Sequence, residues 1–471
     1  MVNAPTRGAR SACDRCYQLK ERCDRASPTS RCERCSRLDQ TCVIVRPVRP
    51  AGRSRTRLRS NISSNSTRSA SRAQCKEPID AWLQKIPDLS TEERELLMLL
   101  LGDSKSLQYP VVSPRFQHAE QESFSGPLPA AWPVLKDAYL AYAGVLRSLQ
   151  SGLTTDTDDA SKLRHASAAM VALRSLPITN PKEAELCLTL GFALALSVYG
   201  AIGVGVSDIC HYCLSVTRPF IEAAALDPEM EHRVSVLVLL ETMECMVHRR
   251  KPTLRMQPRA PAVVDRHLGL CLSLLPEYHD LCVISHSLAN SSDASRLGVL
   301  YQQLQGIQAR VEKWQPSQPE GFLREFSTAE VLHLLAQARV YRLAALLIVH
   351  RLQHKSGDED SQADIWSREV MMELELTQRF SEQPVRFVAL PFIVAAVEVK
   401  DPAERVKVLQ HVDQYVDQLT PVVQKATSTF LTRVWYERDI VPNYSWFDSV
   451  HKPCVVLDSI EATFSGHLFT I

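Results

Sequence analysis

From about residue 134 onward, apolar residues recur at three- and four-residue spacings, the repeat of an amphipathic helix. The pattern predicts helices over 135–150, 159–176, 182–199, 208–225 and 232–249. It continues over 297–314, 328–354, 365–380, 402–419 and 422–438. No stretch alternates apolar and polar positions as a half-buried strand does, so this region is expected to be all-α. Upstream, 79–86 is a short apolar-periodic piece stopped by Pro87. Ser90-Thr91-Glu92-Glu93 is a capping box opening a leucine-rich helix that stops at Gly102. Residues 104–133 hold five prolines and read as a loop or connector. No apolar heptad is sustained over three repeats, so a coiled coil is not expected.

One run needs its own decision. Residues 186–207 carry no charge over 22 positions, long enough to cross a bilayer. The run also contains Gly191, Gly200, Gly203, Gly205, Thr189, Ser197 and Ser207. That content suits a buried helix ending near Tyr199 and a glycine turn; a membrane tether is the alternative.

At 471 residues the length suggests about three domains. A net charge of +1 conceals an asymmetry. Residues 1–75 hold 17 Lys and Arg against 5 Asp and Glu, a net +12, which leaves −11 for the remainder. A small basic module ahead of a large, mildly acidic body suits a nucleic-acid binder with a regulatory domain attached.

The basic part contains Cys13, Cys16, Cys23, Cys32, Cys35 and Cys42, spaced C-x2-C-x6-C-x8-C-x2-C-x6-C. The second half repeats the first at an offset of nineteen residues. Four thiolates saturate one tetrahedral zinc, so six can hold two only if two of them bridge. Residues 1–12 contain no apolar signal-peptide core, and cysteines kept in a reducing compartment favour metal over disulfides. Short helices are expected over 17–23 and 36–41, with Leu19 and Leu38 packing inward. The other eight cysteines, Cys75, Cys187, Cys210, Cys213, Cys245, Cys271, Cys282 and Cys454, read as reduced core residues. Cys210 and Cys213 form a C-x2-C pair, but no second pair accompanies it.

The doubled cysteine motif resembles the fungal Zn2Cys6 binuclear-cluster transcription factors. The body is similar to their helical regulatory region at Glu241–Cys245 with Arg249–Thr253, at Ala338–Leu346 with His350-Arg351-Leu352, and at Pro391-Phe392-Ile393, Arg405 and Val434–Asp439. The resemblance implies a mostly α chain. It would run as a lead-in (1–12), a Zn2Cys6 DNA-binding module (13–42), a disordered basic linker (43–75), short helices and a proline-rich connector (76–133), and an all-α regulatory domain (134–471). It implies two structural zinc ions per chain, with the first and fourth cysteines, Cys13 and Cys32, bridging. With every position filled by thiolate, neither zinc has room for a catalytic water.

The resemblance also places the end of the first helix in the major groove of double-stranded DNA, over a CGG triplet. Lys20 then donates to guanine O6 and N7, Arg22 takes a phosphate or buttresses the helix, and Gln18 lies on the same DNA-binding segment. The counterparts of Lys20 and Arg22 in the second half are Asp39 and Thr41. Tyr17 stands where the family carries a basic residue, and Ser30 where it carries a proline, with Pro28 two residues earlier. Arg53, Arg55, Arg57 and Arg59 alternate along the linker. An extended chain puts them on one side, against phosphates or in a minor groove; a nuclear-import signal, compatible with that role, and a purely solvated tail are the other readings.

No H-E-x-x-H, G-x-S-x-G or phosphate loop is present, so no enzyme is expected. The sequence reads as a nuclear, sequence-specific DNA-binding regulator of RNA polymerase II transcription. The resemblance implies an activator of a fungal secondary-metabolite gene cluster, meeting the transcription machinery or co-regulators as partners. A homodimer is left open. The alternative is a co-regulator that binds DNA weakly and acts through partner proteins.

Overall fold

The computed structural model describes residues 12–19, 23–24, 30–43, 79–102, 104–151, 156–258, 263–355, 357 and 359–441. It divides into two compact units, Met1–Gln74 and Cys75–Ile471.

In the first unit two one-turn helices, α1 (Asp14–Gln18) and α2 (Glu33–Arg37), each begin directly after a cysteine. They start three residues earlier than the sequence pattern suggests. The reason is a sulfur cap: the Cys32 side chain accepts the amide of Cys35, and Cys13 accepts that of Cys16, each at 3.4 Å. Such a cap satisfies one of the free N–H groups of a first turn. The helices therefore end before Leu19 and Leu38. Contrary to expectation these leucines face outward, 54% and 48% exposed. Among the described residues of this unit, the buried cluster is made of cysteine sulfurs.

The described residues of the second unit are mostly helical. Among the described residues its β-type pairing is one isolated bridge, Asp265 to Gly269. It opens with α3 (Ile79–Gln84) and α4 (Thr91–Leu101). The capping box is present: Ser90 Oγ accepts the Glu93 amide at 3.1 Å, and Glu93 Oε2 accepts the Ser90 amide at 2.8 Å. The stretch expected to be a loop instead forms α5 (Gln117–Ser125) and the start of α6 (Leu128–Ser151). Its prolines sit where a helix tolerates them. Pro114 opens a 3-10 turn, and Pro133 is absorbed by a kink at Ala131 (φ −123°).

Four helices follow: α7 (Asp156–Ser175), α8 (Pro181–Ala201), α9 (Val206–Glu222) and α10 (Glu231–His248). The uncharged run lies mainly in α8, which is packed by α6, α7, α9 and α10. The approach of α9 is close: a Cβ on Gly191 would lie 2.2 Å from the Cys213 sulfur. Cys187, Cys210, Cys213, Cys245, Cys271 and Cys282 are all buried free thiols. Cys75 and Cys454 lie outside the described residues.

Next come α11 (Leu275–Ala289), α12 (Ala294–Lys313), α13 (Phe322–Glu325), α14 (Thr328–Gln353) and α15 (Asp360–Ser381). The chain closes with α16 (Ala389–Val397), α17 (Pro402–Gln410), α18 (Val412–Tyr415) and α19 (Pro421–Ile440). The single helix expected over 402–419 is broken at His411, which lets Val416 and Leu419 turn into the core. By length and composition α8 and α14 could each cross a bilayer, yet most of each is buried inside this unit.

The C-terminal residues that resembled a family signature form a clamp. Trp435 Nε1 donates to Ala396 O at 3.0 Å, and Arg438 donates to Val397 O and Val399 O, both at 2.6 Å. Those donors reach carbonyls at and just past the end of α16, where Ala396 O also accepts the Val399 amide at 3.1 Å. Arg405 lies over the Trp435 ring and holds Asp439 at 2.6 and 2.8 Å.

Candidate metal centre

The sulfurs of Cys13, Cys16, Cys32 and Cys35 lie within 4.8 Å of one another, and all four residues are buried. The sequence brings them together through its repeat. Each C-x2-C opens a helix, so both sulfurs of a pair sit at its N-terminus. Cys23 and Cys42 pack against this cluster, where they accept the amides of Cys13 (3.3 Å) and Cys32 (3.2 Å).

Backbone pairing follows the same symmetry. The Asp14 amide donates to Val43 O at 3.0 Å, and its counterpart nineteen residues on, Glu33, donates to Asp24 O at 3.1 Å. These bonds, and that from Arg15 to Gln40 Oε1 at 2.8 Å, tie the halves together. Neither was legible in the sequence, because a carbonyl acceptor carries no residue signature.

The sulfur spacing tests which metal the set suits. Thiolates at about 2.3 Å from a tetrahedral zinc stand about 3.8 Å apart. The measured contacts are Cys13–Cys35 at 3.7 Å, Cys16–Cys32 at 3.8 Å and Cys13–Cys32 at 4.0 Å. The donor set fits zinc by both softness and geometry. Cys13 and Cys32 take part in two contacts each, as bridging sulfurs must.

The thiols of the cluster are shifted in opposite directions. Burial pushes the Cys13 thiol up, but the Cys16 amide and the surrounding thiols outweigh it and hold it down to about 6. Cys32 is lowered in the same way, against burial, by the Cys35 amide and its thiol neighbours. Cys35 is pushed up to about 12, first by its contact with Cys32 and then by burial, and burial raises Cys16 as well.

The remaining residues singled out in the sequence are placed as follows. Gln18 closes α1, with its side chain outside the description. Lys20, Arg22, Arg53, Arg55, Arg57 and Arg59 lie outside the described residues. Asp39, the counterpart of Lys20, sits just past α2 in a left-handed conformation (φ 49°) and faces Arg31 at 3.8 Å. No second metal-type grouping of three or more such side chains occurs among the described residues, so Cys210 and Cys213 remain core.

Residues 236–457 match the family model described as the fungal specific transcription factor domain. The match begins inside α10 and takes in the clamp between α16 and α19. No curated protein and no solved structure matches the chain.

Proposed function

We propose that this chain, whose residues 236–457 match the fungal specific transcription factor domain, is a zinc-dependent, sequence-specific DNA-binding regulator. Cys13, Cys16, Cys23 and Cys32 hold one zinc; Cys32, Cys35, Cys42 and Cys13 hold the other. The metals supply folding free energy and no reaction chemistry. Lys20 reads a guanine in a CGG-type site, with Gln18 and Arg22 beside it on the duplex. Arg53, Arg55, Arg57 and Arg59 on the linker (43–75) add sequence-independent phosphate contacts. Residues 134–471 are the regulatory domain. The protein works in the nucleus, and activation of a secondary-metabolite gene cluster is the task its resemblance implies.

The observation that carries this reading is the crossing of sulfur contacts between the two halves, Cys13 to Cys35 and Cys16 to Cys32. A band-shift titration of the zinc-loaded chain tests it. A CGG-containing duplex should shift at lower protein concentration than a scrambled one, and a chelator should abolish the difference. Tyr17, replacing a basic residue, favours a second reading in which the chain acts through partner proteins. In that case zinc loads normally but the two duplexes bind alike.

A further inference from the structure

An apolar cavity of about 110 Å³ opens between α8, α10, α16 and α19 of the helical unit. Leu240, Met246, Leu390 and Val394 form buried walls, while Met243 and Ile393 are half-buried at its edge. Three polar side chains line it: Thr427, Glu244 and Tyr199, whose hydroxyl is already given to Asp417 at 3.1 Å.

Thr427 is the informative one. It is fully buried, and its hydroxyl has no hydrogen-bond partner among the described residues. Its neighbours on α19 behave differently. Ser428, Thr429 and Thr432 each donate to the carbonyl four residues back, at 3.2, 3.1 and 2.8 Å. That local bond is the ordinary fate of a helical hydroxyl. An orphaned hydroxyl in an apolar wall costs free energy until something pairs with it. Glu244 fixes the Ser207 amide at 3.1 Å and brings a carboxylate to the half-buried side. An anionic guest would have to leave water for a mostly apolar wall, which is costly.

We propose that this cavity binds a small neutral molecule. An apolar ring or short alkyl end fills it, and one hydroxyl or carbonyl on that molecule pairs with Thr427. An apolar cavity of about 150 Å³ accepts benzene, so a ring fits with part of it in the mouth. Met243 and Met246 give the walls room to adapt. All the residues lining this cavity belong to the helical unit.

The test uses the zinc-loaded full chain and three probes: 4-ethylphenol, ethylbenzene and 4-ethylbenzoate. Calorimetric titration and thermal shift are the readouts, neither of which involves DNA. 4-Ethylphenol should bind saturably and raise Tm, ethylbenzene should bind about tenfold more weakly, and the benzoate should not bind. Thr427→Val should erase the preference for the phenol. Val394→Phe, which fills the cavity, should abolish binding of both neutral probes; should it fail to fold, Ile393→Trp at the edge gives the same readout. The proposal is overturned by a lack of 4-ethylphenol binding up to its solubility limit. An intact phenol preference in Thr427→Val, or unchanged binding in both blocked variants, overturns it too. So does a Thr427→Val chain of lowered Tm with no probe bound, since a lone water would then be the hydroxyl's partner.

Discussion

Arg351 grips Glu398 through two hydrogen bonds, at 2.9 and 2.6 Å, with both side chains only 4% exposed. The pair joins α14 to the end of α16. Asp360 approaches Arg351 at 2.8 Å and is itself held by Lys400. Burial works against the charged guanidinium, but the two carboxylates outweigh it and hold Arg351 above its ordinary range. Removing one partner strands a buried charge, at about 3–5 kcal/mol. Glu398→Ala should therefore destabilise the helical unit by that amount in urea unfolding followed by circular dichroism. The apolar pair Arg351→Met with Glu398→Leu should cost less than either single change. A double variant as unstable as the sum of the two would refute this account.

Gly191 should be the least replaceable glycine of α8. An alanine there meets the Cys213 sulfur at 2.2 Å. The expected cost of Gly191→Ala is about 1–3 kcal/mol. Cys213→Ala should recover most of it, because the clash involves that one sulfur. Equal losses in the Cys213 and Cys213→Ala backgrounds would place the strain elsewhere.

Metal analysis of the full chain should give two zincs. Cys13→Ala and Cys32→Ala should each disturb both metals, since those sulfurs are the proposed bridges. Cys16→Ala should directly remove a ligand from only one. Chelation should leave helical circular dichroism nearly unchanged, because most of the helix lies in the other unit. One zinc per native chain would exclude the binuclear assignment.

Lys20 and the arginine arm should fail in different ways. Lys20→Ala should cost about 1–3 kcal/mol on cognate DNA and much less on unrelated DNA, as a residue that reads a base edge does. Changing Arg53, Arg55, Arg57 and Arg59 together to Ala should weaken both duplexes alike. It should also flatten the slope of log affinity against log salt by about 0.9 for each phosphate no longer neutralised. Titrations at several salt concentrations distinguish the two. Equal effects on both DNAs for Lys20→Ala would make it a phosphate anchor. An arm variant that binds normally but stays outside the nucleus would mark an import signal.

Asp417 gives the helical unit a pH dependence of unusual sign. Burial raises its carboxyl from 3.8 to about 6, only partly offset by the Tyr199 hydroxyl at 3.1 Å. The folded chain thus keeps a proton that the unfolded chain releases. This contribution is complete below about pH 4 and is lost as pH rises through about 6. Above that, ionised Asp417 costs about 3 kcal/mol. Asp417→Asn should be the more stable form at pH 7, with the advantage vanishing near pH 4. An advantage independent of pH would show that burial of charge is not the cause.

Much of the helical unit was legible because its amphipathic helices keep their period, as in α12 and α15, and because Ser90 and Glu93 announce a start. Several helices were not, α5 in the proline-rich stretch among them. α16 is an unbroken apolar run, Ala-Leu-Pro-Phe-Ile-Val-Ala-Ala-Val, in which a buried helix and a buried strand look alike. α11 is apolar on most sides and also carries a proline near its start. In the metal unit the cysteine spacing pointed to the cluster. The sulfur caps that move both helices forward depend on geometry, as does the isolation of Thr427. Residue types alone state neither.

The sulfur contacts Cys13–Cys35 and Cys16–Cys32 are one contact written twice, since a shift of nineteen residues exchanges them. The Asp14–Val43 and Glu33–Asp24 hydrogen bonds exchange in the same way. Such reciprocity is the mark of an isologous dimer interface. Here both protomers lie on one polypeptide, and residues 24–31 serve as the tether. Neither half completes a four-sulfur set alone, so the tether's thermodynamic role is to raise the effective concentration of one half around the other. The halves are thus free to diverge in sequence outside their cysteines, with one keeping Lys20 while the other carries Asp39.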